Sequence, residues 1–518
     1  MNQYLQQFGV LILILVTGFT LYACSERVSQ NSSSHAPPIT PLDSRDTEFR
    51  LRSQPCNYSS FSSNRVECFQ AVLQSRTESF RFPVTRIRSA HVDDLESREA
   101  VILVPGGPGQ GGMTSEDWVL DWHQWMVNND SGNDLILYDP RGVLGGDTFW
   151  LCDAYEARVK ELLKQHVTMA QEVDILQPIL HACLLEYDQS LRNTAFPEAG
   201  LLSFSTKHNA ADLQRLMRAF DYDGYHLWGT SYGTRVALTA AFDPLVKTLL
   251  LDSPYPFHRG GIADWPRVLT ESLAIHQRRF VEFTEQDETN NAALSYIEQL
   301  QRLNKSLEKN PQTWSLENWN TNERIDFTLN PDRLLSLQFD VLYDEALVGM
   351  YYTALKSLPE RSDEMTIVME LFITNALDPA FSSMVYIATE CNDNGLGEQA
   401  DYFDAAKDFP LELVDWQKMY DTDLCHLPLF QNRNHVQDLD YADKPTLIFS
   451  GGLDPVTPRL WAQELQADLI NAKLIEIDYA GHSVLSSEYC SWSDIAVFWQ
   501  SRDPDTRVDC SEDAGVSE

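Results

Sequence analysis

Short apolar runs recur along the chain and are separated by longer segments in which apolar residues follow the period of a helix. The runs lie at residues 101–104, 135–138, 225–228, 249–251, 446–449 and 473–477. Apolar runs of this length that alternate with helical segments are typical of parallel strands buried on both faces. The pattern therefore predicts the α/β class, with a mostly parallel central sheet covered by helices.

Two regions depart from this alternation and indicate how the chain is divided. Short β-like runs, such as 80–84, precede the first parallel strand and predict an antiparallel start to the sheet. Between 257 and 443 the strand signal largely disappears and helical patterns dominate. These helical patterns lie at 273–283, 293–303 and 365–376. We therefore expect an α/β core formed by residues 49–256 and 444–518, interrupted by a mostly helical cap over residues 257–443.

The first residues carry an export signal. Phe8 to Ala23 form an apolar stretch of 16 residues, which is short for a membrane-spanning helix and typical of a signal peptide. It ends in Leu21-Tyr22-Ala23-Cys24, which resembles the bacterial lipoprotein box. The resemblance implies that residues 1–23 are removed and that Cys24 is lipidated, with Ser25 suiting the outer membrane. Residues 24–48 are rich in Ser, Pro and Asn and predict a disordered tether.

This N-terminus predicts an exported protein held in the bacterial cell envelope by its lipid. The expected membrane contact is the anchor at Cys24. A periplasmic or secreted protein and an uncleaved membrane anchor are the alternatives.

The composition has a strong acidic excess. The 518 residues include 39 Lys and Arg against 76 Asp and Glu, which gives a formal net charge of −37. This charge disfavours a nucleic-acid partner, because phosphate binding requires clustered Lys and Arg. It attracts cationic or amine-bearing ligands. The alternative is that the acidity serves only the solubility of an exported protein.

Cysteine usage fits an exported protein. Of nine cysteines, eight remain when Cys24 is set aside, and an even number in an exported chain predicts disulfides. Eight cysteines allow about 105 pairings, so the sequence leaves their connectivity open. Pairing nearest neighbours gives the hypothesis Cys56–Cys68, Cys152–Cys183, Cys391–Cys425 and Cys490–Cys510. Neither CxxC nor HExxH occurs, so no metal site is expected.

The segment Gly229-Thr230-Ser231-Tyr232-Gly233 lies between an apolar run and a helical segment. A G-x-S-x-G sequence in this context predicts a nucleophile elbow, in which a sharp strand-to-helix turn presents the serine hydroxyl above the sheet. Ser231 is therefore the predicted nucleophile. The alternative is a tight turn with an idle serine.

A serine hydroxyl needs a general base, and the base needs a partner that fixes its tautomer. Asp454 follows the run 446–449 and His482 follows the run 473–477, so both are expected at the carboxyl ends of strands, where sites in α/β sheets form. We predict Asp454 as the orienting carboxylate and His482 as the base. Asp252, at the end of the run 249–251, is the rival acid, and a turn residue or a surface histidine would be the inert alternatives.

A glycine-rich segment, Pro105-Gly106-Gly107-Pro108-Gly109-Gln110-Gly111-Gly112, follows the first parallel strand. In acyl transfer the oxyanion is stabilised by backbone N–H groups, commonly from the residue after the nucleophile and from such a loop. Tyr232 and Gly107 are the predicted donors. The same segment also matches a dinucleotide-binding fingerprint, with Asp139 as the ribose acid, but that interpretation leaves the elbow, acid and histidine unexplained. No cofactor is expected.

Together these motifs resemble the bacterial tripeptidyl aminopeptidase and proline iminopeptidase-like α/β hydrolases. The matching segments are 105–112, 139–142, 229–233, 251–254, 451–458 and 480–484. The resemblance implies an α/β-hydrolase core with a helical cap and a serine exopeptidase that acts on peptides with a free N-terminus. It also implies pairing near the C-terminus like Cys391/Cys425 and Cys490/Cys510.

An aminopeptidase needs a carboxylate for the substrate's α-ammonium group, and the cap is expected to supply it. Glu390, in the segment 387–393, is the expected anchor, ahead of Asp393. The alternative is that either residue is only a solvated charge. Two other functions stay open: a carboxylesterase or lipase with the same triad, and a catalytically silent envelope binding protein. The number of residues released, any preference for proline and the oligomeric state are not determined by the sequence.

Overall fold

The computed structural model describes residues 48–59, 62–90, 99–129, 132–285, 295–358, 360–393, 404–405, 423–430, 440–487 and 489–510. The predicted signal peptide, the predicted lipidation site Cys24 and all of the predicted tether except Glu48 lie outside the described residues. Everything below concerns the described part of the chain.

A single nine-stranded sheet forms the centre of the molecule, in the order β1-β2-β3-β5-β4-β6-β7-β10-β11. The strands, including a separate pair β8 and β9, are β1 (Glu48–Gln54), β2 (Val66–Gln74), β3 (Ser79–Ile87), β4 (Glu99–Val104), β5 (Asp134–Tyr138), β6 (Gly224–Thr230), β7 (Val246–Asp252), β8 (Gln312–Glu317), β9 (Arg324–Leu329), β10 (Thr446–Gly451) and β11 (Ala472–Ile477). β1 to β3 pair antiparallel, β3 pairs antiparallel with β5, and the remaining neighbours are parallel. The predicted mostly parallel sheet with an antiparallel start is confirmed.

Helices cover both faces of this sheet and also make up most of the segment between β7 and β10. They are α1 (Glu116–Asn128), α2 (Asp153–Leu163), α3 (Met169–Thr194), α4 (Thr206–Ala219), α5 (Tyr232–Ala240), α6 (Trp265–Glu285), α7 (Tyr296–Lys309), α8 (Pro331–Asp340), α9 (Glu345–Ser357), α10 (Asp363–Ala376), α11 (Ser383–Asp393), α12 (Arg459–Asp468) and α13 (Trp492–Ser501).

Alternation along the strands explains why both faces are buried. Val101 and Leu103 of β4 pack in one core with α1 and α13, whereas Ile102 and Val104 pack in the other core with α4 and α5. Successive side chains of a strand point to opposite faces, so a strand that is apolar throughout requires a layer of helices on each side. The resulting three-layer arrangement brings the carboxyl ends of the parallel strands to one edge, where the loops meet.

The segment between β7 and β10 contains α6 to α11, so its largely helical character agrees with the sequence pattern. The structure adds the antiparallel pair β8 and β9, which the sequence analysis did not predict. Each of these strands has only six residues, and apolar and polar positions alternate, as at Trp314, Ser315 and Leu316. Such short alternating segments are easily hidden among helical patterns.

Four disulfides join Cys56 to Cys68, Cys152 to Cys183, Cys391 to Cys425 and Cys490 to Cys510. The nearest-neighbour hypothesis is therefore confirmed in this structure. Disulfides persist in oxidising compartments, so they indicate an extracytoplasmic location. None of the helices in the described ranges is both long enough and apolar enough to cross a membrane.

Candidate active site

Ser231 lies in the sharp turn between β6 and α5. Its backbone has φ 54° and ψ −123°, a conformation that L-residues rarely adopt, and its N–H donates to the carbonyl of Asp252 at 2.9 Å. The turn requires glycine on both sides. A Cβ at Gly229 would lie 2.6 Å from the Gly233 carbonyl oxygen, and a Cβ at Gly233 would lie 2.1 Å from the Val104 carbonyl oxygen. The tight strand-to-helix turn that was predicted around Ser231 is present.

Asp454 and His482 meet across two loops that follow β10 and β11. His482 Nδ1 lies 2.9 Å from Asp454 Oδ2, and the same oxygen accepts a bond from the Thr457 hydroxyl at 2.7 Å. The other carboxylate oxygen, Oδ1, accepts bonds from the backbone N–H groups of Val456 and Thr457, each at 2.9 Å. Both carboxylate oxygens are therefore held, which fixes the carboxylate that faces the imidazole.

The two side chains shift each other's pKa. Burial alone would raise the pKa of Asp454, but the neighbouring His482 and the hydrogen bonds to the carboxylate hold that pKa below its ordinary value. Burial alone would lower the pKa of His482, but the Asp454 carboxylate raises it above its ordinary value. A buried carboxylate that orients and stabilises an imidazolium is the arrangement that general base catalysis requires.

Asp252, the rival acid, does not bond His482. Its carboxylate accepts the N–H groups of Val484 at 2.8 Å and Leu485 at 3.0 Å, just after the histidine. The adjacent Ser253 hydroxyl accepts the N–H of Ser483 at 2.8 Å. The end of β7 therefore fixes the loop that carries His482, while the Asp252 carbonyl holds Ser231. Burial raises the pKa of Asp252 to about 7.

The glycine-rich loop between β4 and α1 lies against the nucleophile. A Cβ at Gly106 would come within 3.3 Å of the Ser231 Cβ, and Gly107 has φ +106°. Asp139 anchors the far end of the loop by accepting the N–H groups of Met113 at 2.7 Å and Thr114 at 3.2 Å. This carboxylate is thus engaged by the loop itself, which argues against the ribose-binding role that a dinucleotide site would give it.

Tyr232 is the first residue of α5, so its N–H has no acceptor within the helix. Its ring is buried, and its hydroxyl accepts bonds from Thr206 and Asn209, each at 3.1 Å. Gly107 and Ser231 both line one cavity. The two predicted oxyanion donors thus lie on the two segments that border the serine, one on the glycine-rich loop and one at the start of α5.

Ser231 and His482 line the same cavity, which has a volume of about 220 Å³. Tyr343, from the segment inserted between β7 and β10, also lines it, and its ring meets the His482 ring edge to face with centroids 5.4 Å apart. The inserted segment thus contacts the histidine directly. No sequence motif marks Tyr343 or Thr457, and only the fold brings them to the histidine.

Glu390 is not among the residues that line this cavity. Its side chain is fully buried in α11, where one carboxylate oxygen lies 3.7 Å from Arg235 and the other accepts a bond from the Tyr255 hydroxyl at 3.3 Å. The Arg235 guanidinium balances its charge inside the protein. The structure therefore does not bring the expected amine anchor to the serine, because the carboxylate is used in a buried ion pair.

The described residues hold no group of three or more His, Cys, Asp or Glu side chains arranged to bind a metal ion. The cavity brings together a strained serine and a histidine that is oriented by a carboxylate.

Comparison with known proteins places this arrangement in a family. Residues 99–489 match the family model described as the alpha/beta hydrolase fold. The matched range includes Ser231, Asp454 and His482. A search of curated proteins gives no match.

Several solved structures are similar to the chain. They include an esterase from Exiguobacterium antarcticum, with 12% sequence identity over 78% of this chain and 89% of that one and a TM-score of 0.31. An alpha/beta hydrolase fold protein from Chitinophaga pinensis has 9% identity, covers 82% of this chain and 94% of its own, and has a TM-score of 0.33. A hydrolase from Pseudomonas aeruginosa has 12% identity, covers 82% of this chain and 92% of its own, and has a TM-score of 0.30.

Proposed function

Because this chain belongs to the α/β-hydrolase fold family, we propose that Ser231, His482 and Asp454 are the catalytic triad of a serine aminopeptidase. The observation that carries the proposal is the Asp454–His482 pair, 2.9 Å apart, whose histidine lines the same cavity as the strained Ser231. Its substrates are peptides with a free N-terminus. It needs no cofactor.

The reaction proceeds in two halves. His482 removes the proton of the Ser231 hydroxyl as the serine oxygen attacks the scissile carbonyl, and Asp454 stabilises the imidazolium that forms. The N–H groups of Gly107 and Tyr232 donate to the oxyanion of the tetrahedral intermediate. His482 then gives its proton to the leaving amine, and an acyl-enzyme remains on Ser231. Water, deprotonated by His482, hydrolyses this ester and restores the serine.

The preference for peptides with a free N-terminus rests on two arguments from the sequence. Six motifs in order resemble the tripeptidyl aminopeptidase and proline iminopeptidase-like enzymes, and the net charge of −37 favours a substrate that carries an ammonium group.

An esterase that uses the same triad is the second candidate. The apolar and aromatic character of much of the cavity favours it, because Leu103, Met113 and Trp118 are among the lining residues. Such walls suit an uncharged acyl group as well as a peptide side chain.

We also propose that the protein is anchored in the cell envelope by a lipid on Cys24. The four disulfides support an extracytoplasmic location. Replacing Cys24 by serine should release the protein from the membrane fraction, and a Cys24→Ser variant that stays bound would contradict the anchor.

The test of function compares one series of peptide amides, with free or acetylated N-termini, with a short-chain ester. Wild type should cleave the free peptides much faster than the acetylated ones. Ser231→Ala should abolish turnover, whereas Ser315→Ala, at an exposed position of β8, should not change it. Turnover of the ester alone would establish the esterase instead. Absence of any turnover that depends on Ser231 would favour a binding protein.

A further inference from the structure

The cavity continues from the catalytic residues along one face of α1. Six residues of this helix line it: Trp118, Asp121, Trp122, Gln124, Trp125 and Asn128. Most of them follow the spacing of three or four residues that places side chains on one helix face. The lining extends over eleven residues of α1, from Trp118 to Asn128, or about 15 Å at the helical rise. The cavity is therefore considerably longer than the triad requires.

Five tryptophans form the walls of this extension. Trp228 of β6 and Trp492 of α13 pack against the tryptophans of α1 and line the same cavity. The rings support each other edge to face, with centroids 5.3 Å apart for Trp122 and Trp228 and 4.7 Å apart for Trp125 and Trp492. Aromatic faces attract cations, and indole does so most strongly.

One carboxylate in this extension has no partner in the described part of the chain. Asp121 and Asp252 are the acidic residues that line the cavity, and Asp252 is already engaged by two backbone N–H groups. Among the described residues, Asp121 forms neither a hydrogen bond nor an ion pair, although its side chain is half-buried. Burial, together with the nearby Asp117, raises the pKa of Asp121. A cationic ligand would relieve that unfavourable environment.

We propose that this extension is the subsite for the N-terminal end of the substrate, with Asp121 as the counter-ion of the α-ammonium group and the surrounding tryptophans as its aromatic wall. The inference rests on the proposed aminopeptidase function and moves the amine anchor from α11 to α1. It also assigns Asp121 a role in specificity, because it contacts the substrate's amine and takes no part in bond cleavage.

The test uses the full chain and measures kcat/KM for a free peptide amide and for its acetylated form. In Asp121→Asn, the ratio of the two values should fall by about tenfold or more, mainly through a higher KM for the free peptide, because a charged hydrogen-bonding partner is lost. Asp121→Glu should restore part of the ratio. The matched control is Asp117→Asn on the same helix, at an exposed position that does not line the cavity, and it should keep the wild-type ratio.

Each outcome has a separate meaning. If wild type prefers free peptides and Asp121→Asn keeps that preference, the Asp121 subsite is overturned while the aminopeptidase stands. If both kcat/KM values fall equally in a folded Asp121→Asn protein, Asp121 has only a structural role and the subsite is again overturned. If wild type makes no distinction between free and acetylated peptides, the proposed function itself fails. Circular dichroism of each variant establishes that it is folded.

Discussion

At the scale of single residues, the site depends on which carboxylate faces the histidine. Both candidate acids are buried beside the His482 loop, yet Asp454 bonds the imidazole and Asp252 bonds the backbone that follows it. The two carboxylates therefore have different roles. One sets the orientation and pKa of the imidazole, and the other fixes the loop in which the imidazole lies.

This difference predicts the behaviour of Asp454→Asn. Losing the charge should lower kcat by about 10³- to 10⁴-fold, because the imidazolium is no longer stabilised and its tautomer is no longer fixed. His482 acts as a base only when neutral, and Asp454 raises its pKa, so wild-type activity should rise with pH through a pKa above the ordinary value of 6.5. The residual activity of the variant should show the same rise at a lower pH.

The measurement is the pH profile of kcat/KM for both proteins. Asp326→Asn, on the exposed side of β9, serves as the control and should match wild type. An unchanged acid limb in Asp454→Asn would show that Asp454 does not set the pKa of the base.

At the scale of elements, the nucleophile depends on how closely α5 approaches β4. A Cβ at Gly233 would lie 2.1 Å from the Val104 carbonyl oxygen and 2.8 Å from that of Pro105, and both are backbone atoms that cannot turn aside. The closeness explains why the elbow needs glycine after the serine as well as before it. It also places the start of α5 next to the loop that begins at Pro105.

Gly233→Ala should therefore displace α5, lower the free energy of unfolding by about 1–3 kcal/mol or more, and abolish activity. Gly349→Ala is a matched change in another helix, α9, where a Cβ would meet nothing within 4 Å. That variant should keep full activity and gain about 0.5–1 kcal/mol, since alanine favours a helix over glycine. Thermal unfolding and turnover of both variants decide the matter, and an active Gly233→Ala would refute the close-approach argument.

At the scale of the whole molecule, the protein combines a net charge of −37 with several buried carboxyl groups. Burial raises the pKa of Asp252, Asp340 and Asp393 to about 7 and that of Asp139 to about 6. A carboxyl group whose pKa is higher in the folded than in the unfolded state stabilises the fold at low pH and loses that effect as the pH rises through the folded value. Self-repulsion of the acidic surface acts in the same direction.

We therefore expect these four carboxyl groups to lower the free energy of unfolding as the pH rises from 5 to about 7, whereas the lowered pKa values of the buried His208 and His276 act in the opposite direction below pH 6.5. Asp340 offers the sharpest test, because burial is the cause of its raised pKa and it has no partner among the described residues. Asp340→Asn should stabilise the protein by about 1.4 kcal/mol for each pH unit between the unfolded and the folded pKa of Asp340, and by a constant amount above the folded pKa. The stabilisation should therefore be larger at pH 8 than at pH 5. Denaturant unfolding at the two pH values measures this. An equal effect at both would exclude linkage to Asp340.

The sequence by itself determined much of the core. Apolar runs predicted β4 to β7, β10 and β11. Most of these strands are buried on both faces and so have no polar side, whereas the edge strand β11 is only partly buried. The G-x-S-x-G segment predicted the turn at Ser231, because the local backbone there requires glycines. Nearest-neighbour pairing gave all four disulfides, because each joins cysteines that are close along the chain. These features depend on local residues and short separations.

Only the tertiary structure determined which charged residues pair with residues that are distant in the chain. Glu390 lies in the expected segment, yet the fold places Arg235 beside it, 155 positions away in the chain, and leaves it buried and paired. Asp121 carries no motif, yet packing of α1 over Trp228 and Trp492 sets it in the cavity that contains the serine. Whether a carboxylate can bind a ligand depends on which residues of other elements lie next to it in the folded protein. The local sequence around the carboxylate does not show which residues these are.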